Sequence, residues 1–125
     1  IAFQGPKQKG MPELHKLTPS LTILLKRGFR VALVTDGRMS GASGKVPSAI
    51  HLYPEAAEGG PISKIKTGDL LRLDATTGEL NCLNQDFESR ETRTLEYQNL
   101  SHGRELFNKV RGLITNSEDG ASIIF

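Results

Sequence analysis

The sequence predicts a mixed α/β domain, rich in β-structure, in which helices pack outside a barrel-like or sandwich-like arrangement of strands. Three observations lead to this fold class. A short apolar run with β-branched residues, at 31–34, is typical of a buried strand. Leucines at helical spacing precede it, and from Ile62 onward apolar and polar residues alternate between turn clusters. The 125 residues are enough for a real core, and we expect a single domain over residues 1–125.

The first half of the chain is predicted to form a strand, a helix and a second strand. The first strand is expected at residues 1–3. Thr18 and the proline after it make a good helix start, and Gly28 supplies the stop, so we expect a helix over 19–27. Its leucines would pack against the strand at 31–34. This order suggests a βαβ crossover.

The second half is predicted to consist mostly of strands joined by turns. The expected strands are a meander at 63–66, 70–74 and 79–83 and a closing strand at 121–125. An apolar face at helical spacing predicts a helix over 105–114, and residues 54–58 are expected to form a helical turn. Two stretches stay open: 47–51 is a brief helix or an extended piece, and 86–96 is a surface helix or a loop.

Composition and charge exclude several classes of protein. The net charge of +2 is too small, and the basic residues are too scattered, for a nucleic-acid-binding protein. No apolar run approaches the roughly 20 residues that a membrane-spanning helix needs, so we expect no membrane partner. The single cysteine, Cys82, excludes an internal disulfide and any cysteine-held zinc or iron–sulfur site built by this chain alone. No signal peptide is visible, so we expect a cytoplasmic protein.

A small polar loop follows the strand at 31–34 and is a candidate for binding an anion. Gly37 is expected to open the turn, since glycine can adopt positive φ without steric cost. The loop then brings hydroxyls, backbone N–H groups and two cations to one volume, from Arg38, Ser40, Ser43 and Lys45. An ordinary strand-to-helix connection explains the same composition equally well. A P-loop and a dinucleotide-binding loop are both excluded, because their glycine and hydroxyl residues are not at the required spacing.

Two residues are candidates for chemistry. Ser40 is a candidate nucleophile or base, although a serine hydroxyl is a poor base at neutral pH unless a cation or a base lies beside it. Glu13 lies in a loop framed by glycine and proline, where its carboxylate suits a hard cation such as Mg²⁺. Each also has an ordinary explanation, as a structural loop serine and a solvated glutamate. Glu55 and Glu58, three residues apart, are expected on a solvated helix face.

Several ordered motifs are similar to one family. They are Gly5-Pro6-Lys7, Gly10-Met11-Pro12-Glu13, TDGRMSG from Thr35 and PEAAEGGP from Pro54. These motifs resemble the C-terminal part of the dihydroxy-acid and sugar-acid dehydratases. Within that family, RMSGASGKVPSAIH from Arg38, MPELHKLTP from Met11, GRELF and GASIIF resemble the members that act on phosphorylated gluconate. The resemblance covers the whole chain.

The resemblance implies a hydro-lyase of the Entner–Doudoroff pathway, which removes water from 6-phospho-D-gluconate and gives 2-dehydro-3-deoxy-6-phosphogluconate. It also implies an iron–sulfur cluster of the 4Fe–4S type, held by cysteines of a larger N-terminal domain, and a Mg²⁺ ion nearby. The C-terminal domain would be barrel-like, with loops that close over the cluster. Ser40 corresponds to the family's base, acting as an alkoxide, and Glu13 corresponds to its metal ligand. We expect the full-length enzyme to be a homodimer.

These roles suit a dehydration, because a base must remove the C2 proton while a Lewis acid, here the cluster iron, acts on the C3 hydroxyl. The substrate's carboxylate or phosphate would be held by Lys7, Arg38, Ser43 and Lys45. The chain starts at Ile1 inside a predicted strand and has one cysteine, so we expect a fragment that is inactive without its cluster-binding domain. Three alternatives stay open: a stand-alone sugar-phosphate binding module, a domain that docks on a partner chain, or a dehydratase of another sugar acid or dihydroxy acid.

Overall fold

In the computed structural model, residues 1–40, 44–96 and 108–124 are described, and they form short helices and strands. The helices are α1 (Pro6–Lys9), α2 (Thr18–Lys26) and α3 (Asn108–Arg111). The strands are β1 (Leu33–Val34), β2 (Ser48–Ala49), β3 (Leu71–Asp74) and β4 (Glu79–Cys82). Single 3₁₀ turns lie at His15–Leu17, Ala56–Glu58 and Pro61–Lys64. The mixed α/β class is confirmed, but the described residues are not rich in β-structure, because their strands are few and short. Helix α2 matches the predicted helix to within one residue. Over these residues, every helix is too short or too polar to cross a lipid bilayer.

Strands β1 and β2 pair in parallel, and the polar loop connects the end of β1 to the start of β2. Leu33 lies opposite Ser48. The pairing continues beyond the strand ends, because the His51 N–H donates to the Gly37 carbonyl at 2.9 Å. The stretch 47–50 is therefore extended rather than helical, and the chain bends at His51, which has a φ of 56°. The backbone up to Gly37 is fixed by hydrogen bonds just before the candidate site begins.

Strands β3 and β4 form an antiparallel hairpin, which confirms the strands predicted at 70–74 and 79–83. Asp74 fixes the turn between them, since its Oδ1 accepts the backbone N–H groups of Thr76 at 2.9 Å and Thr77 at 3.2 Å. Aspartate favours such turns because its side chain can bind the backbone a few residues ahead. The hairpin thus follows from local sequence.

The barrel-like arrangement is not what the described residues form. In this part of the chain the strands make two separate two-stranded sheets, β1–β2 and β3–β4, and neither closes on itself. A barrel would need the strands expected at 1–3, 63–66 and 121–125 to join these sheets. Residues 1–3 do lie beside β1, but the Phe3 N–H donates to the Asp36 carboxylate instead of a neighbouring strand.

The other two segments have local reasons not to be strands. The segment at 63–66 overlaps the 3₁₀ turn Pro61–Lys64, because the fixed φ of Pro61 starts a helical turn. Near the end of the chain, Ala121 adopts a φ of 50° and the Ser122 N–H donates to the Thr115 hydroxyl at 2.9 Å, which makes a tight turn. The helix expected over 105–114 is confirmed only over α3, since residues 112–114 form a turn and irregular backbone. Residues 105–107 lie outside the described residues.

Two small cores hold these elements together. The first packs α2 against β1 and β2 and contains Leu33, Met39 and Val46, with Leu17, Leu21, Leu25 and Ile50 beside them. The second joins the N-terminal segment to the 3₁₀ turns and contains Phe3, Ala56 and Ile62. The predicted packing of the α2 leucines on the β1 sheet is confirmed for Leu21 and Leu25. The polar loop therefore lies next to the first core, which contains Leu33 before the loop and Val46 after it.

An ion cluster at Arg90 fastens the base of the hairpin to the turn that follows it. The guanidinium donates to both oxygens of Asp69, at 2.6 and 2.8 Å, and to both of Asp86, at 2.8 and 2.9 Å. The Arg90 and Asp69 side chains are 9% and 6% exposed. Hydrogen bonds from Arg90 lower the pKa of Asp69 to about 2 and also lower that of Asp86. The stretch 86–96 forms turns and irregular backbone rather than a helix.

Candidate active site

The loop after β1 presents its side chains alternately to the core and to the surface. Met39 is buried in the first core, whereas Arg38 before it is exposed and Ser40 after it is half-buried. In extended backbone, successive side chains point to opposite sides. Burying Met39 therefore turns Arg38 and Ser40 outward together, and the methionine anchors the loop that carries them.

Backbone pairing brings Glu13 to this loop. Glu13 and Arg38 form an isolated parallel β-bridge, and the Leu14 N–H donates to the Arg38 carbonyl at 3.0 Å. The Arg38 side chain adds two contacts, because its Nε donates to the Met11 carbonyl at 2.8 Å and its Nη1 lies 3.6 Å from Glu13 Oε2. Main chain and side chain together fasten residues 11–14 to residue 38.

The Glu13 carboxylate contacts the backbone of Ser40, the residue that carries the candidate base. Its Oε1 accepts the backbone N–H of Ser40 at 2.7 Å. A hydrogen bond to a charged acceptor is shorter and stronger than a neutral one, so this contact orients the carboxylate well. Glu13 keeps 23% of its side chain exposed and thus stays open to a ligand. The structure places these two residues, 27 apart in sequence, at one point of the surface.

The candidate residues for substrate binding do not all lie beside Glu13 and Ser40. Lys7 makes an ion pair with Glu58, so it engages a different carboxylate from Glu13. Lys45 is exposed in the turn after the polar loop. Ser43 lies outside the described residues. Among the described candidates for substrate binding, Arg38 is the one that contacts Glu13.

A buried carboxylate that the sequence did not single out supports the loop. Asp36 is fully buried, four residues before Ser40. Its Oδ2 accepts the N–H groups of Phe3 at 3.1 Å and Ala56 at 2.9 Å, and its Oδ1 accepts that of Gln4 at 2.9 Å. These bonds offset the cost of burying the charge. An aspartate directly after a buried strand was the available signal, but its partners are 20 to 33 residues away.

A second buried carboxylate corrects the expectation for Glu55. Glu55 is 3% exposed rather than solvated. Its carboxylate accepts the N–H of Lys7 at 3.1 and 3.2 Å and that of Gln8 at 3.1 Å, in the first turn of α1. Burial raises the pKa of Glu55, the two N–H groups oppose the rise, and the charges of Asp36 and Glu58 add to it. Glu58 is exposed, as expected.

The described residues do not complete a metal site by themselves. Across residues 1–40, 44–96 and 108–124, no group of three or more His, Cys, Asp or Glu side chains is arranged to hold a metal ion. Mg²⁺ prefers octahedral oxygen ligands, and the partly exposed carboxylate of Glu13 fits as one of them. An iron–sulfur cluster is held by several thiolates, and the chain has only Cys82. A cluster therefore does not fit the residues of this chain alone.

Comparison with known proteins identifies the family. Residues 1–121 match the family described as dihydroxy-acid/6-phosphogluconate dehydratase C-terminal. The chain belongs to this family. A phosphogluconate dehydratase of Pseudomonas aeruginosa is 55% identical over 97% of the chain, and one of Escherichia coli K12 is 51% identical over 99%. A dihydroxy-acid dehydratase of Pyrococcus abyssi is 33% identical over 97%.

The family match confirms the resemblance carried by the motifs around Glu13 and Ser40. The chain spans about a fifth of the length of these dehydratases: 20% of the P. aeruginosa protein, 21% of the E. coli protein and 22% of the P. abyssi protein. The family match thus covers almost the whole of this chain, and the chain matches only a small part of each relative.

Proposed function

We propose that the chain acts as the C-terminal domain of a longer hydro-lyase, which converts 6-phospho-D-gluconate to 2-dehydro-3-deoxy-6-phosphogluconate in the Entner–Doudoroff pathway. The relatives named phosphogluconate dehydratase support this substrate, since they are 47% to 55% identical to the chain, against 33% for the dihydroxy-acid dehydratase. The observation that carries the proposal is the hydrogen bond between the Ser40 N–H and the Glu13 carboxylate, because it sets a carboxylate ligand beside the candidate base.

Ser40 is the proposed base. As an alkoxide, its Oγ takes the proton from C2, next to the carboxylate of the substrate. The electron pair left at C2 forms a double bond to C3 while the C3 hydroxyl leaves. A proton from solvent converts that hydroxyl to water, and Ser40 returns the C2 proton to solvent. The enol that results tautomerises to the 2-keto acid. The chain's contribution to this step is to hold a hydroxyl oxygen at the reacting carbon.

Glu13 is the proposed ligand of a Mg²⁺ ion, together with ligands from the rest of the polypeptide. When bound, the ion supplies positive charge that favours the alkoxide form of the neighbouring serine. The hydrogen bond from Ser40 and the ion pair with Arg38 hold the carboxylate in one orientation. An iron–sulfur cluster would be held by cysteines outside this chain.

The basic residues are the proposed anchors of the substrate's anionic groups. Arg38 is best placed, because its guanidinium is half-exposed and lies beside Glu13. Lys7, Ser43 and Lys45 would bind the remaining carboxylate or phosphate oxygens. The proposed partner is the N-terminal domain of the same polypeptide, in a homodimeric cytoplasmic enzyme.

The test uses the full-length protein that carries this domain. Formation of a 2-keto acid is measured with 6-phosphogluconate and with a branched 2,3-dihydroxy acid. We expect turnover of the phosphorylated sugar acid and a loss of about 10²- to 10⁴-fold in kcat for Ser40→Ala, the range for removing a positioned base. The matched control is Ser89→Ala, which removes a hydroxyl that donates to the Asp86 carbonyl and should leave kcat unchanged.

Each departure from this result has a defined meaning. Preference for the dihydroxy acid would contradict the proposed substrate. Tight binding of 6-phosphogluconate without turnover would favour a binding module over an enzyme. Full activity of Ser40→Ala would contradict the role of Ser40 as the base.

A further inference from the structure

Helix α1 connects the buried carboxylate of Glu55 to the candidate site. Glu55 holds the N–H groups at the start of α1. The helix has only four residues. Its single turn is held by a helical hydrogen bond from the Lys9 N–H to the Gly5 carbonyl at 3.0 Å. The chain then passes through Met11, whose carbonyl accepts Nε of Arg38, to Glu13. A shift of the first turn of α1 is therefore transmitted to Glu13 over a short, hydrogen-bonded path.

A second path connects the same point to Ser40. The N–H of Ala56, the residue after Glu55, donates to the buried Asp36 at 2.9 Å. Asp36 precedes Ser40 by four residues on the loop that Met39 anchors. Because Glu13 accepts the Ser40 N–H, the two paths end at the same pair of residues. The segment at Glu55 and Ala56 is therefore linked to the candidate site twice, through α1 and through Asp36.

We propose that Glu55 is a positioning residue, which fixes α1 so that the Glu13 carboxylate meets Ser40 in the orientation needed for cation binding and proton removal. This inference rests on the proposed function. It adds a role for Glu55, which touches neither the substrate nor the cation. Glu55 acts through α1 and Glu13.

The packing around Glu55 supports a defined position for its carboxylate. A methyl group on Gly5 would lie 1.8 Å from Glu55 Oε2 and 2.7 Å from its Cβ, so the absence of a side chain at Gly5 makes room for this carboxylate. Glu55 is also buried among other charges, with burial raising its pKa, which is a costly arrangement for an acid without a task in ordering the backbone. Glu79, by contrast, makes an exposed ion pair with Arg72 on the β3–β4 hairpin.

The experiment compares Glu55→Gln with the control Glu79→Gln, on the β3–β4 hairpin, in the full-length protein. The glutamine keeps the size of the side chain but removes its negative charge. It also puts an NH₂ donor where Oε2 accepts the Lys7 N–H, so two donors face each other at the start of α1. The first measurement is the Kd for Mn²⁺, used in place of Mg²⁺ and followed by electron paramagnetic resonance. Glu13→Gln identifies the signal that comes from this site.

We expect Glu55→Gln to raise the Kd for Mn²⁺ about 10-fold, the lower end for residues that support a metal ligand, and to lower kcat with little change in KM. Glu79→Gln should leave all three constants unchanged. Folded Glu55→Gln protein with wild-type Mn²⁺ affinity and kcat would overturn the inference. If Glu55→Gln does not fold, Glu55→Asp is measured in the same way, and the same result overturns the inference.

If neither variant folds, Glu55 serves stability alone and the inference is wrong. The wild-type protein tests the proposed function separately, through its Mn²⁺ binding and its turnover. If the wild-type protein has no Mn²⁺ site that depends on Glu13 and no turnover, the proposed function fails, and the positioning role of Glu55 fails with it. If the wild-type protein binds Mn²⁺ through Glu13 and Glu55→Gln behaves like it, only the inference about Glu55 fails.

Discussion

Glu13 and Arg38 are joined twice, by a parallel β-bridge between their backbones and by the approach of Nη1 to Oε2 at 3.6 Å. The bridge fixes the distance between two loops that are far apart in sequence. The ion pair and the Ser40 N–H then engage one carboxylate oxygen each. A carboxylate held in this way is oriented before any ligand arrives, which lowers the entropic cost of binding one.

Replacing Arg38 tests whether its guanidinium binds substrate. We expect Arg38→Gln in the full-length enzyme to raise the KM for 6-phosphogluconate about 10-fold, the effect of losing one charge-assisted hydrogen bond. Steady-state kinetics measure it. The control is Arg72→Gln, which removes an exposed pair with Glu79 on the β3–β4 hairpin. A KM equal to that of the control would remove Arg38 from the substrate site.

Adding a methyl group at Gly5 tests the contact between α1 and Glu55. Gly5→Ala forces the Glu55 carboxylate to move, because the new carbon would overlap its Oε2. We expect a destabilisation of about 1–3 kcal/mol, typical of overpacking, measured as a lower midpoint of urea unfolding of the full-length protein. Gly112→Ala is the control, since a methyl group there would meet the Lys109 carbonyl oxygen at 3.5 Å, an ordinary contact. Equal midpoints for the two variants would contradict this close packing.

The Asp69–Arg90 pair predicts a loss of stability in acid. The pKa of Asp69 is lowered from 3.8 to about 2 by hydrogen bonds from Arg90, so the folded state favours the charged form. Its stabilising effect is present above pH 4 and disappears as the pH falls from about 4 to about 2. We expect the unfolding midpoint of Asp69→Asn to fall less steeply over this range than that of the wild type. Glu88→Gln, an exposed carboxylate of the same turn, should follow the wild type.

Local sequence was sufficient to predict those helices and strands that are stabilised mainly by contacts among their own residues. The β3–β4 hairpin follows from alternation and a turn cluster. Helix α2 has the proline after Thr18 in its first turn, as predicted, but its N-cap is Leu17, which makes no side-chain capping bond. The stretch 63–66 shows the limit, because its alternation predicts a strand while Pro61 starts a 3₁₀ turn. The expected barrel depended on such segments pairing at long range, which local patterns do not determine.

In the candidate site, too, sequence signals identified some of the residues and not others. The residue types and motifs pointed to Glu13 and Ser40, and the structure brings these two together. The roles of Asp36 and Glu55 could not be predicted, since their partners are backbone N–H groups that carry no sequence signal. Glu55 and Lys7 are 48 residues apart, so only the folded chain shows that they meet.

The central claim is that Glu13 and Ser40 belong to one active site, and a double-mutant cycle on kcat tests it most directly. Glu13→Gln, Ser40→Ala and the double variant are compared with the wild-type full-length enzyme on 6-phosphogluconate. Residues that act as a unit lose their effects together, so we expect the double variant to be no slower than the slower single variant. If the two losses in kcat multiply in the double variant, the residues act independently and the proposed site is wrong.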